Sequence, residues 1–210
     1  MRFELVVWHE PAPVPRERAA RIREELAQGA DRAPHPAVEA FAADLSALFP
    51  GLTPLVRPGH AVVTMEPQEA DRVSAAVFPL ARRHGLVCYD PVRGLVHNLH
   101  PLGVYPGMQL HTGDGMIITD PDLGLVHDVL GTLSVHNPFA ALVCFGRHFL
   151  QVSPAGEGFE LEYKDGAAGV IHRTHLADLA ELRRCFAEYA AGGRAFLDRH
   201  SWTPTPVGRG

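Results

Sequence analysis

Phe159, Leu161 and Tyr163 alternate with Glu160, Glu162 and Lys164. This two-residue period admits little besides a half-buried strand, with three apolar side chains on one face and three charges on the other. The flanking residues agree with it. Ala141 to Phe145 and His148 to Val152 are apolar runs joined by Gly146-Arg147, a glycine-first pair suited to a two-residue hairpin turn. Asp165-Gly166 begins a turn into a further run, Val170 to Thr174. Leu176, Leu179, Leu182, Phe186 and Tyr189 then recur at helical spacing, and Gly192-Gly193 ends the helix. Residues 138–193 therefore predict a small antiparallel sheet closed by a helix, whose apolar side chains contribute roughly 1.5–3 kcal/mol each on burial.

Upstream, Phe3 to Trp8 predicts a strand that is apolar on both faces. Ala19, Ile22 and Leu26 form the stripe of a first helix that opens at Pro15 and stops at Gly29. Val38, Phe41, Leu45 and Leu48 form the stripe of a second over Ala37 to Phe49, and the two are expected to lie together as an antiparallel pair. His60 to Met65 is a strand, and Gln68 to His84 a third helix with Val73, Val77 and Leu80 inward. Pro79 inside that helix predicts a kink or break, since an interior proline costs about 3 kcal/mol. Leu86 to Tyr89 and Leu95 to His97 are short strands on either side of Asp90-Pro91. Pro101 to Gly107 is the best linker, because its two prolines and two glycines resist regular structure. Beyond it, Met108 to His111 and Met116 to Thr119 form a hairpin across Gly113-Asp114-Gly115, Asp120-Pro121-Asp122 resembles a helix start, and Leu125, Val129 and Leu133 mark the stripe of that helix. The expected fold is α+β. A mixed sheet with three helices occupies residues 1–100, a linker 101–107, and an antiparallel sheet packed by helices 108–210.

At 46% hydrophobic residues the chain of 210 can bury a core, and its formal charge of −5 argues against a nucleic-acid surface. No run approaches the roughly 20 apolar residues of a membrane span, and the first eight residues make no signal peptide. A cytoplasmic protein is expected. Cys88, Cys144 and Cys185 lie in apolar contexts without Cys-x-x-Cys spacing, which predicts three buried thiols in a reducing compartment.

Among thirteen histidines, the best metal constellation is His97, His100, His111 and Asp114, but its spacing fits no zinc motif. Glu160 and Glu162 project from one strand face about 7 Å apart, compatible with the paired carboxylates of glycoside hydrolysis. A half-exposed sheet shows such charges to water in any case. No serine lies in Gly-x-Ser-x-Gly. The residues thus predict no catalytic site, no metal and no cofactor. Glu157, Glu160, Glu162 and Asp165 together predict an acidic surface able to meet a basic partner.

Phe3 to Trp8 together with Gly85-Leu86-Val87-Cys88-Tyr89-Asp90-Pro91 resembles a group of small uncharacterised bacterial proteins. Asn137-Pro138-Phe139, Phe149-Leu150-Gln151-Val152, Phe159 to Gly166 and His172-Arg173-Thr174 look like a module of bacterial proteins similar to immunity proteins of polymorphic toxin systems. The resemblance implies a non-enzymatic cytoplasmic protein that binds and neutralises a cognate protein toxin. It carries over no catalytic residue. Two other classes compete with this expectation: a hydrolase built on the histidines or the two glutamates, and a structural adaptor.

Overall fold

The structure, a computed structural model, describes residues 3–97, 105–144, 148–166 and 169–206. Among these are six α-helices and two antiparallel sheets, of five and seven strands, an α+β fold. The chain divides into two compact units, 1–101 and 102–210. Of the expected linker, residues 101–104 lie outside the described residues. No helix among the described residues is long and apolar enough to cross a membrane.

The first unit is built on β1 (Phe3–Trp8), flanked by β3 (His60–Met65) and β4 (Val87–Asp90), with β2 (Leu55–Arg57) and β5 (Leu95–His97) at the edges. Leu5, Val6, Val7 and Trp8 are all buried, so both faces of the sheet need cover. Val6 and Trp8 pack with Ala19, Ile22 and Leu26 of α1 (Arg16–Ala27). On the other face lies α3 (Ala70–Arg83), whose Phe78 stacks on His97, in register with Cys88 and, across it, Val7.

This two-sided demand overturns the expected helical pair. Helix α1 packs on β4 and β5, whereas α2 (Pro36–Leu48) packs on α3, β2 and β3. Leu48, predicted inward, is 58% exposed at the last residue of its helix. The sheet also differs from the expected mixed one, since each of its pairings is antiparallel. Strands β3 and β4, joined through α3, run in the same direction, but β1 lies between them and opposes both. Helix α3 continues through Pro79, flanked by buried Val77, Phe78, Leu80 and Ala81. Burial of such side chains at roughly 1.5–3 kcal/mol each outweighs the cost of about 3 kcal/mol for the proline.

The second unit orders its strands β12-β11-β10-β9-β8-β6-β7. These are β6 (Gln109–Thr112), β7 (Ile117–Thr119), β8 (Ala140–Cys144), β9 (His148–Ala155), β10 (Gly158–Asp165), β11 (Val170–Leu176) and β12 (Thr203–Pro206). The predicted turn at Gly146-Arg147 lies outside the described residues. Strands β9 and β10 pair over eight residues each and meet at a two-residue turn, Gly156-Glu157. Gly158 cannot carry a side chain, because a Cβ there would collide with the carbonyl oxygen of Leu176.

Helix α4 (Leu123–Leu130) is capped by Asp122, whose carboxylate accepts from the Leu125 amide. It ends before Leu133, and Val126 and Leu130 complete its buried face. Helix α5 (Leu179–Ala190) is capped by Asp178 and packs on β10 and β11 with Leu182, Cys185, Phe186 and Tyr189 buried. Leu176, expected on its stripe, is instead the buried last residue of β11. A short α6 (Ala195–Arg199) follows. Its Phe196 meets Tyr163 and Tyr189 edge-on, with ring centroids 5.7 and 6.4 Å away.

The β4–β5 turn is held by one carboxylate. Asp90 is fully buried; its Oδ1 accepts from the amides of Val92 and Arg93, and its Oδ2 accepts from Arg93 Nη1 at 3.1 Å. Removing one partner of such a pair leaves the other uncompensated. Replacing Asp90 by alanine is expected to lower the stability of the first unit by about 3 kcal/mol, read as a lower urea midpoint with an unchanged slope.

Candidate functional site

The hairpin β9–β10 places three of the four predicted partner-binding carboxylates on the open surface. Glu157 in the turn and Glu160 and Asp165 on β10 are exposed. They do not share one face. Asp165 falls in the inward alternation with Leu161 and Tyr163 and lies at the far end of the strand, roughly 25 Å from the turn at strand rise. Glu162 does point the same way as Glu160, but it is engaged within the sheet. Its Oε1 accepts from Arg173 Nε at 2.7 Å, and its Oε2 accepts from Gln151 Nε2 at 3.2 Å. These are its cross-strand neighbours on β11 and β9. The negative surface at the hairpin tip therefore reduces to Glu157 and Glu160.

Each described histidine of the predicted metal constellation has surroundings of its own. His97 belongs to the first unit, His111 and Asp114 belong to the second, and His100 lies outside the described residues. His97 is buried, with its ring stacked 3.7 Å from that of Phe78. Burial, aided by Arg93 and Arg82, pushes its pKa down to about 3. His111 meets Gln109 Oε1 at 3.0 Å and is pushed down by burial. Asp114 accepts from the Thr112 hydroxyl in the β6–β7 turn. Other histidines serve as local struts: His35 Nδ1 accepts from the Ala37 amide at the start of α2, and His148 meets the Tyr189 hydroxyl at 2.6 Å.

A third constellation, not singled out in the sequence, gathers on α5. Glu181 and Cys185 are four residues apart and so occupy one side of the helix. The turn after α6 brings His200 against them. His200 Nε2 lies 3.0 Å from Glu181 Oε1 and 3.7 Å from Cys185 Sγ, and Sγ lies 3.8 Å from the same carboxylate oxygen. Arg199 fastens the arrangement, with Nε donating to Glu181 at 3.0 Å and Nη1 to both oxygens of Glu188 at 2.9 Å. Burial opposes ionisation of Glu181, but the bonds from Arg199 and His200 outweigh it and hold the carboxyl below its ordinary range. The Cys185 thiol goes the other way, to about 12, through burial and the nearby Glu181 charge. A nucleophilic cysteine needs a thiolate within reach of substrate, whereas Cys185 is fully buried and held protonated. Carboxylate and sulfur also address the same imidazole nitrogen, so no relay runs from one to the other through the ring. The helical spacing of Glu181 and Cys185 was legible in the sequence. The part played by His200 was not, because it depends on how α6 folds back.

In comparisons with known proteins, the chain matches no family model, no curated protein and no solved structure.

Two outcomes follow from these environments. Unfolding returns His97 to an ordinary imidazole near 6.5, so below that pH the unfolded chain binds a proton that the folded state excludes. Stability of the first unit is expected to be full above pH 6.5 and to fall towards pH 3, by up to about 1.4 kcal/mol per pH unit from this group. Urea titrations from pH 7 to pH 4 will show this slope, and His97→Leu will flatten it. Among the thiols, Cys88 and Cys185 are buried and Cys144 is partly exposed. One equivalent of a disulfide reagent is expected to react quickly with the native protein, and that equivalent is lost in Cys144→Ser.

Proposed function

We propose that the chain is a protein-binding protein of the immunity class, a cytoplasmic partner that neutralises a basic cognate toxin by contact and not by bond chemistry. The observation that carries this reading is the β9–β10 tip. Glu157 and Glu160 stand exposed on a hairpin whose paired strands hold them fixed. Carboxylates presented this way raise the encounter rate with a basic surface and disfavour acidic competitors. The formal charge of −5 acts in the same direction. The resemblance of Phe159–Gly166 and its flanking segments to immunity proteins supplies the class of partner. A hydrolase using Glu160 and Glu162 draws less support, because Arg173 and Gln151 occupy the oxygens of Glu162.

Co-expression with the product of the neighbouring reading frame, which this reading takes to be the toxin, tests the proposal. Cells making both proteins are expected to survive and the two to co-purify; full toxicity in the presence of folded protein would overturn it. Reversing both charges, Glu157→Arg with Glu160→Arg, is expected to slow association about tenfold at low salt. At physiological salt, where screening acts over about 8 Å, Asp165→Arg at the opposite end of the strand is expected to leave the rate within about twofold.

A further inference from the structure

We propose that Glu181 Oε1, Cys185 Sγ and His200 Nε2 form a binding site for one zinc ion, with water as the fourth ligand, that fastens the C-terminal tail to α5. The inference is independent of the partner-binding reading. Its basis is the size of the donor triangle. Tetrahedral zinc with bonds of about 2.0–2.1 Å to nitrogen and oxygen and 2.3 Å to sulfur needs donors about 3.3 Å apart for N and O, and about 3.6 Å apart where sulfur is one of the pair. The three edges measure 3.0 Å for N to O, and 3.7 and 3.8 Å for the two edges to sulfur. The donors therefore already lie close to the edges of a coordination tetrahedron, with the longer edges at sulfur as zinc requires.

The chemistry of the donors agrees with the geometry. A sulfur ligand beside imidazole selects zinc over magnesium or calcium, which take oxygen. Entry lies on the Glu181 and His200 side, where side-chain exposures are 24% and 18%, while Cys185 forms the closed floor. Binding releases one proton to solvent, from the Cys185 thiol, while neutral His200 presents an unprotonated Nε2 by carrying its single proton on Nδ1. Arg199 need not leave. Its Nη1 stays on Glu188, and its Nε remains a donor to a carboxylate oxygen that has a lone pair to spare, the kind of outer bond that orients a metal-bound carboxylate.

Zinc alone is the probe. Full-length protein expressed with zinc and passed through gel filtration is expected to retain about one zinc per chain by elemental analysis. Exchange with cobalt is expected to produce a near-ultraviolet thiolate-to-cobalt charge-transfer band. Both signals are lost in Cys185→Ser and in His200→Gln and kept in Cys144→Ser. The cobalt band separates this site from surface histidines, which bind cobalt without sulfur. Wild-type protein that retains no zinc and shows no such band would overturn the proposal, as would a band that persists in Cys185→Ser.

Discussion

The burial of one side of α5 against β10 and β11 is the contact on which the second unit depends. Leu182, Phe186 and Tyr189 are each 0% exposed, and together they fix both the rotation of the helix and its height on the sheet. Rotation decides what the remaining positions can do. With Cys185 drawn into the core, Glu181 one turn earlier lies at the boundary between core and solvent, where a carboxylate can be paired without being entirely removed from water. The tail then returns over this boundary because Phe196 has its own place beside Tyr163 and Tyr189. Arg199 and His200 arrive at Glu181 as a consequence of where Phe196 is buried.

In the first unit the same role belongs to a strand. β1 lies third of five in its sheet and is buried on both faces, so a single helical layer cannot satisfy it. The three helices divide accordingly, α1 against β4 and β5, with α2 and α3 together against the other face. The proline-bounded segment at Pro34-His35-Pro36 lets the chain cross from one face to the other, and His35 caps the helix that begins there.

The sequence disclosed elements well where one local period dominated. β1, β3, β10, α1 and α5 follow from alternation or helical spacing alone, and the α+β class follows from their order. What it concealed depended on distant partners. β2, set between Pro54 and Pro58, and β12, which contains Pro204 and Pro206, carry prolines that mask a strand signal, and both exist because an edge offers hydrogen bonds. The antiparallel sense of the first sheet required knowing that β1 sits between β3 and β4. The candidate site divides in the same way. Glu157 and Glu160 were visible as exposed carboxylates, whereas Glu181, Cys185 and His200 are brought together by a tail whose only local signals are five helical residues and two prolines.

The partial failure of the predicted acidic face has a physical cause in the sheet itself. A side chain on an inner strand has a cross-strand neighbour on each side, so its effective charge is set by three residues and not by one. Glu162 sits between Arg173 and Gln151, and Glu160 between His175 and Ser153. The first arrangement neutralises the carboxylate through a guanidinium; the second leaves it exposed with no arginine or lysine directly across from it. Alternation fixed the direction in which both glutamates point, but the register of β9 and β11 decided which of them remains available to a partner. A surface charge on a β-sheet is thus a property of the row across the strands, and only the hairpin turn, which has no row, keeps Glu157 free of this constraint.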